Sequence, residues 1–252
     1  MKRLLILGNS HLVAVKAAWE AAAPQGFAVE FFGAPQRAWT RMTLLPDNRF
    51  GVAGDFKRQR QITEQANGKA TVSLNHRDII VLVGGFSAAE PIAELLALCD
   101  IPGLRATGAA TLLSEPLFAK ACAALAEAQL PEPGLHTYAP VLMIPRPAPA
   151  ETCLTSTNAT YQHWHHIAAA PDGIATGFAR FDAALTVAMA AKGLTYLPQP
   201  QATRTAIGLT HAHYLAPGGG TLQGEEKKRG DHAHMNQAYG AQVVAQLLNA
   251  LP

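Results

Sequence analysis

The chain has 252 residues, 49% of them hydrophobic and 15% charged, enough length for a sizeable core and a composition that excludes a disordered chain. The net charge is +2 with His neutral, and no long basic stripe appears, which argues against a nucleic-acid partner. The three cysteines, Cys99, Cys122 and Cys153, are widely spaced with no CxxC, so neither a disulfide framework nor a zinc ribbon is indicated, and reduced thiols in a cytoplasmic protein are expected. "MKRLLILGNSH" begins as a secretory signal would, but its apolar run is short and no small-residue cleavage site follows. No stretch approaches the length of a membrane span.

In chain order, "RLLILG" (3–8) is a continuous apolar run ended by glycine, the pattern of a buried strand. "HLVAVKAAWEAAA" (11–23) is amphipathic and rich in helix formers, with Pro24 and Gly26 beyond it. "FAVEFFGAP" (27–35) is a second strand, which makes the opening a right-handed parallel strand–helix–strand unit. Residues 46–77 are polar, with turn signals at Pro46-Asp47-Asn48 and Asn67-Gly68, and predict a small hairpin-bearing insertion. "DIIVLVGGF" (78–86) is β-branched and reads as a strand buried on both faces. Helices are predicted at 88–99 and at 117–130, the latter stopped by Pro131, Pro133 and Gly134. "APVLMIP" (139–145) is a strand followed by a proline-rich loop. A helix over 179–193, a short strand over 194–200 and a closing helix over 236–251 complete the pattern. "GEEKKRGDH" (224–232) is mixed in sign and flanked by glycine, as a solvated loop is. The alternation predicts a single domain over 1–252, a three-layer α/β/α sandwich with a mostly parallel sheet of about five strands.

In such sheets ligands bind beyond the carboxyl ends of the strands. The residues expected there are Gly8-Asn9-Ser10-His11, Gly33 and Gly84-Gly85-Phe86-Ser87. Ser10 has two readings. It can cap the helix that follows, or it can act as a nucleophile whose oxyanion is held by backbone N–H groups at the helix start. The second requires a histidine base and a carboxylate to orient it. "GDHAHMNQAYG" (230–240), before the last helix, offers Asp231 and His234 at D-x-x-H spacing. His232 adjoins Asp231 directly, and adjacent side chains diverge, so His234 is the expected base. His11 is read as a cap or solvent-facing residue, with substrate contact as the alternative. Asn236 and Tyr239 are expected to anchor the last helix.

Together, "LILGNSH" near the start and "DHAHMN…YG" near the end resemble the SGNH, or GDSL-like, hydrolases. The resemblance implies an α/β/α fold and a Ser-His-Asp triad of Ser10, His234 and Asp231. It implies oxyanion donors at the N–H groups of Ser10 and Gly33, an acyl ester substrate of small-molecule or carbohydrate type, and no cofactor or metal. The middle of the pattern departs from the family. Phe86 stands where an asparagine donor is expected, and Ser87 where an aspartate is, so either the Gly85 backbone or a group of the 46–77 insertion supplies the donor, or the protein is a slow or specialised hydrolase, or catalysis is lost. Three other readings stand beside this one. "GGFSAA" is close to a nucleophile elbow, with Ser87 as nucleophile or, more plainly, as a helix cap. The histidine clusters at 163–166, 211–213 and 232–234 can hold a metal. A non-catalytic protein of the same fold, binding a carbohydrate or protein partner, accommodates Phe86 directly. Trp39, Phe50 and Phe56 either line a substrate pocket or form the insertion's own core.

Overall fold

The computed structural model describes residues 1–131, 134–217 and 231–251. The chain opens with β1 (Lys2–Gly8), α1 (Leu12–Ala22), β2 (Phe27–Gly33) and the short α2 (Gln36–Trp39). There follow β3 (Met42–Leu45), β4 (Arg49–Val52), α3 (Lys57–Asn67) and β5 (Thr71–Ser73). Next come β6 (Ile79–Ser87), α4 (Glu90–Leu98), β7 (Cys99–Asp100), β8 (Thr111–Leu112) and α5 (Glu115–Glu127). The chain ends with β9 (Val141–Arg146), α6 (Gln162–Ala169), α7 (Ile174–Ala190), β10 (Leu194–Tyr196) and α8 (Gln237–Ala250).

The main sheet has five strands in the order β2-β1-β6-β9-β10, and every neighbouring pair is parallel. Burial on both faces explains the unbroken apolar runs. Along β1, Leu4 and Ile6 pack with Leu12, Val15 and Trp19 of α1 and Val243 and Leu247 of α8. Leu5 and Leu7 point the other way, into a core shared with Ile92 of α4, Phe118 of α5, Trp164 of α6 and Phe181 and Leu185 of α7. This is the three-layer α/β architecture expected from the sequence. The chain runs outward from β1 to β2 on one side and through β6, β9 and β10 on the other. The order therefore reverses between β1 and β6, and a crevice opens beyond their carboxyl ends.

Residues 42–73 form a second, antiparallel sheet in the order β3-β4-β5, with α3 between β4 and β5. Pro46-Asp47-Asn48 turns the β3–β4 hairpin, with Asp47 and Asn48 both at positive φ (63° and 57°). Asn67-Gly68 is a helix end instead of a hairpin turn: Gly68, at φ 72°, closes α3 by donating its N–H to Glu64 O. Helix α3 itself has no periodic apolar signal, because "KRQRQITEQAN" buries only Ile62 and Thr63. Asn67 ties α3 to the main sheet, donating to Gly33 O at 2.7 Å and accepting the Gly33 N–H at 2.9 Å. Residues 224–230 of the mixed-charge segment, and Pro133, lie outside the described residues. Among the described residues no helix is long and apolar enough to cross a membrane.

The tightest helix crossing is that of α8 over α1. A Cβ built on Gly240 would lie 2.0 Å from Ala14 O and 3.0 Å from Ala18 Cβ, so only glycine lets the two helices meet. Gly240→Val is expected to push α8 outward and to lower stability by about 1–3 kcal/mol. A thermal melt of the variant checks this. Because α8 directly follows Asp231 and His234, the variant should also weaken any activity that depends on their placement.

Candidate active site

Residues 8–12 turn sharply from β1 into α1. The turn is held by Asn9, which is only 2% exposed. Its Nδ2 donates to Gly84 O at 2.5 Å and to Gln36 Oε1 at 2.8 Å, and its Oδ1 accepts the His11 N–H at 3.1 Å. One buried amide thus joins the ends of β1 and β6 and the start of α2. Gly84 sits at φ +70°, and a Cβ there would fall 2.5 Å from Asn9 Oδ1, so the junction requires glycine. Ser10 follows Asn9 at the head of α1.

The opposite wall is the segment entering α8. Asp231 Oδ1 accepts the N–H groups of Ala233 (2.9 Å) and His234 (3.3 Å), which folds the D-x-x-H segment into a tight turn. The turn is pinned to neighbouring loops: Ala150 N–H donates to His232 O at 2.7 Å, and Ala216 N–H to His234 O at 3.0 Å. Asn236 caps α8 by accepting the Tyr239 N–H at 3.1 Å, and its Nδ2 donates to His213 O at 2.7 Å. Asn236 and Tyr239 therefore hold the start of the last helix.

These two elements, 224 residues apart, meet side chain to side chain. His234 Nδ1 lies 2.5 Å from Asp231 Oδ2, and His234 Nε2 lies 2.8 Å from Ser10 Oγ. A carboxylate only accepts, so Nδ1 carries the proton and Nε2 accepts the Ser10 O–H. Burial alone would raise the Asp231 carboxyl, but the hydrogen bonds from His234 and the Ala233 N–H outweigh it and hold its pKa well below the usual carboxylate range. Asp231 is therefore ionised wherever the protein is folded near neutrality.

His11 makes no cap bond to α1. Its ring stacks on His234, with centroids 5.1 Å apart and planes at 15°, and its Nδ1 is buried without a hydrogen-bond partner. Burial, then the neighbouring charges of His234 and Arg146, push its pKa down to about 3, with Asp231 opposing. The imidazole next to Ser10 is thus neutral. His232 is turned away from Asp231: its Nδ1 lies 2.8 Å from Thr152 Oγ1, and Tyr161 packs edge-on against its ring.

The remaining expected positions divide. The Gly33 N–H is committed to Asn67 Oδ1 and is not available to an oxyanion, because α3, which the sequence did not announce, docks on that strand end. Gly85 is exposed beyond the β6 bend, with Trp39 Nε1 3.5 Å from where its Cβ would be. Phe86 packs against Tyr196 with centroids 6.1 Å apart. Ser87 Oγ accepts the Glu90 N–H at 3.3 Å, as a cap of α4 does. Trp39 and Phe50, with Gly85, Phe86, Leu44 and Met143, line an apolar cleft of about 400 Å³. Phe56 lies outside it, under the Arg41 guanidinium.

Among the described residues no group of three or more His, Cys, Asp or Glu side chains is placed to hold a metal ion. The histidine clusters are dispersed: His163 Nε2 lies 2.8 Å from Glu90 Oε2, His165 Nε2 3.0 Å from Ser156 O, and His211 stacks on His213. Burial pushes the thiols of Cys122 and Cys153 up, to about 11 and about 12, so neither is a nucleophile at neutral pH.

Among solved structures the chain is similar to an extracellular lipase from Streptomyces rimosus, at 11% identity and a TM-score of 0.44, each chain being covered in full. It is also similar to a DUF4886 family protein from Bacteroides uniformis, at 11% identity and a TM-score of 0.39, over 99% of this chain and 82% of that one. Likeness of that degree carries no argument about chemistry. No protein-family model and no curated protein matches the chain.

The depressed Asp231 pKa makes a testable statement about stability. A carboxyl whose folded pKa lies below its unfolded one stabilises the fold above the unfolded value, and that contribution is lost as pH falls toward the folded value. Asp231→Asn should therefore cost about 1.5–3 kcal/mol at pH 7, the range for hydrogen bonds to a charged group. The gap between wild type and variant should close as pH drops below about 4. Urea midpoints at pH 7 and pH 3 measure both arms. An equal gap at the two pH values would contradict the assignment.

Proposed function

We propose that the protein is a serine hydrolase that cleaves an acyl ester through Ser10, His234 and Asp231. The observation that carries this reading is the unbroken hydrogen-bond line from Ser10 Oγ through the His234 ring to Asp231. A helix cap would spend the Ser10 hydroxyl on a backbone N–H, whereas here it faces an imidazole held in one tautomer. The two terminal sequence motifs, which resemble those of the SGNH hydrolases, point the same way.

On this reading Ser10 Oγ bonds to the ester carbonyl carbon as its proton passes to His234 Nε2. Asp231 stays ionised and stabilises the imidazolium. When the tetrahedral intermediate collapses, the bond from carbon to the leaving alkoxide breaks, and His234 returns its proton to that oxygen. Water then attacks the acyl-serine in the same way, giving up a proton to His234, and Ser10 regains its hydrogen as the acid leaves. Neutral His11 stacked on His234 adds no second positive charge while the imidazolium forms.

The oxyanion needs donors. Asn9 Nδ2, the His11 N–H and the Gly33 N–H are all committed elsewhere. We assign the role to the backbone N–H groups of Ser10 and Gly85, with the Trp39 indole N–H close to Gly85 as a further donor. The apolar cleft beyond Gly85 receives the acyl side of the substrate. Loss of the Gly33 donor, with Phe86 in place of a donor side chain, favours a second reading: a non-catalytic protein using the same crevice to bind a carbohydrate or protein partner.

One experiment separates them. Incubation with a fluorophosphonate should add one adduct to wild type and none to Ser10→Ala, as read by intact mass. The Ala variant should lose ester hydrolysis by on the order of 10⁶-fold for a fully active triad, leaving only a residual rate above the uncatalysed one. Folded wild type without an adduct would overturn the hydrolase reading in favour of the binding protein. An adduct lost in Ser87→Ala and kept in Ser10→Ala would place the chemistry at the wrong serine.

A further inference from the structure

A second cleft, of about 360 Å³, lies on the other side of the site from the apolar one, and its chemistry is different. It is lined by Ala233, within the Asp231–His234 turn, and by Glu90, Glu94, Arg146, Tyr161 and His163, among others. Arg146 ends β9, where its Cα pairs with Ser87 across the sheet end. Its charge acts on the His11 ring, which stacks on His234.

The charges of this cleft are unequal in their partners. Glu90 is engaged by the His163 ring, whose Nε2 lies 2.8 Å from its Oε2. Glu94 is exposed at the rim. Arg204, which shares a small neighbouring cavity with Arg146, is answered by Asp182 at 2.8 Å. Among the described residues no carboxylate pairs with Arg146. A half-buried guanidinium without a counter-charge presents a planar fork of donors that matches a carboxylate or phosphate group. Position adds the rest. The alcohol that leaves the carbonyl carbon must take its proton from His234 Nε2, so it departs on the histidine's side, and Ala233 of the same turn lines this cleft.

We propose that the alcohol part of the substrate carries an anionic group, a carboxylate or a phosphate, which Arg146 binds in this cleft. The inference rests on the hydrolase reading of Ser10. It goes further in stating which half of the substrate is charged: an apolar acyl chain on the Gly85 side, an anionic alcohol on the Arg146 side.

Three esters with one common hexanoyl group test it: of glycerol, of glycerate and of glycerol phosphate. Wild type should show the higher kcat/KM on an anionic ester, and which of the two is preferred tells carboxylate from phosphate. Arg146→Gln should lower kcat/KM on the preferred anionic ester about 30-fold more than on the glycerol ester, and Arg146→Lys should restore part of the difference. Fluorophosphonate labelling of Ser10 in each variant confirms that the site is folded. Equal losses on all three esters, or a wild-type preference for the neutral one, would overturn the proposal. A calorimetric arm uses Ser10→Ala protein with glycerate and with glycerol phosphate. Binding that disappears in the Ser10→Ala, Arg146→Gln double variant supports the anion site even if no ester is turned over, and absence of binding together with absence of turnover rejects it.

Discussion

Everything at the mouth of the crevice depends on one buried amide. Asn9 sits where the parallel sheet reverses its winding, and there the backbone ends of β1 and β6 separate and lose ladder partners. An amide offers two donors and an acceptor at fixed angles. Asn9 spends them on Gly84 O, Gln36 Oε1 and the His11 N–H, each from a different segment. Asn9 is 2% exposed and its bond to Gly84 O is buried, so loss of the side chain leaves that carbonyl unpaired in the core. The position of Ser10, one residue further on, is therefore set by the sheet itself and not by a free loop.

The other half of the site is fixed by a different means. Asp231 and His234 lie in a turn with little apolar content, and turns of that kind are ordinarily mobile. Here the chain that follows is anchored. Met235 is buried against the α1 face of the sheet, Asn236 caps α8, and Gly240 brings α8 into backbone contact with α1. Because α1 begins two residues after Ser10, the two halves share one rigid pair of helices. The contact of Ser10 Oγ with His234 Nε2 follows from helix packing as much as from the side chains that make it.

This division explains what could be read in the sequence. β1, β6 and β9 were legible because burial on both faces leaves unbroken apolar runs, and their parallel order followed from the helices between them. Asp231 and His234 were legible as a pair because D-x-x-H spacing is set by local turn geometry, and Ser10 joined them only through the resemblance of the two terminal motifs. Helix α3 was not, since it buries only Ile62 and Thr63, and its end at Asn67-Gly68 carries the same two residues a hairpin turn would. That one omission changed the site: the docking of Asn67 on β2 removes the Gly33 N–H from use, a consequence of tertiary contact that no local pattern records. His11 was legible as a residue and not as a role. Its place against His234 comes from the meeting of two segments at opposite ends of the chain. Arg146 gave no signal at all, because a charged residue at the end of a strand is ordinary until the sheet shows which end faces the crevice.

The two clefts give the site a direction. On the Gly85 side the walls are Trp39, Phe50, Leu44 and Met143, where an apolar group gains by leaving water. On the Ala233 side they are Arg146, Tyr161, His163 and Glu90, where the same group would strand polar side chains without partners. On the proposed reading, an ester bound the wrong way round would pay on both sides at once, so orientation would be set by the difference between the clefts and not by a close fit in either. If the site is catalytic as proposed, with the Gly33 donor given to Asn67 and none supplied by the Phe86 position, correct orientation carries more of the catalytic burden. Holding the carbonyl carbon against Ser10 Oγ, with the leaving oxygen toward His234, is what proximity can supply when electrostatic stabilisation is reduced.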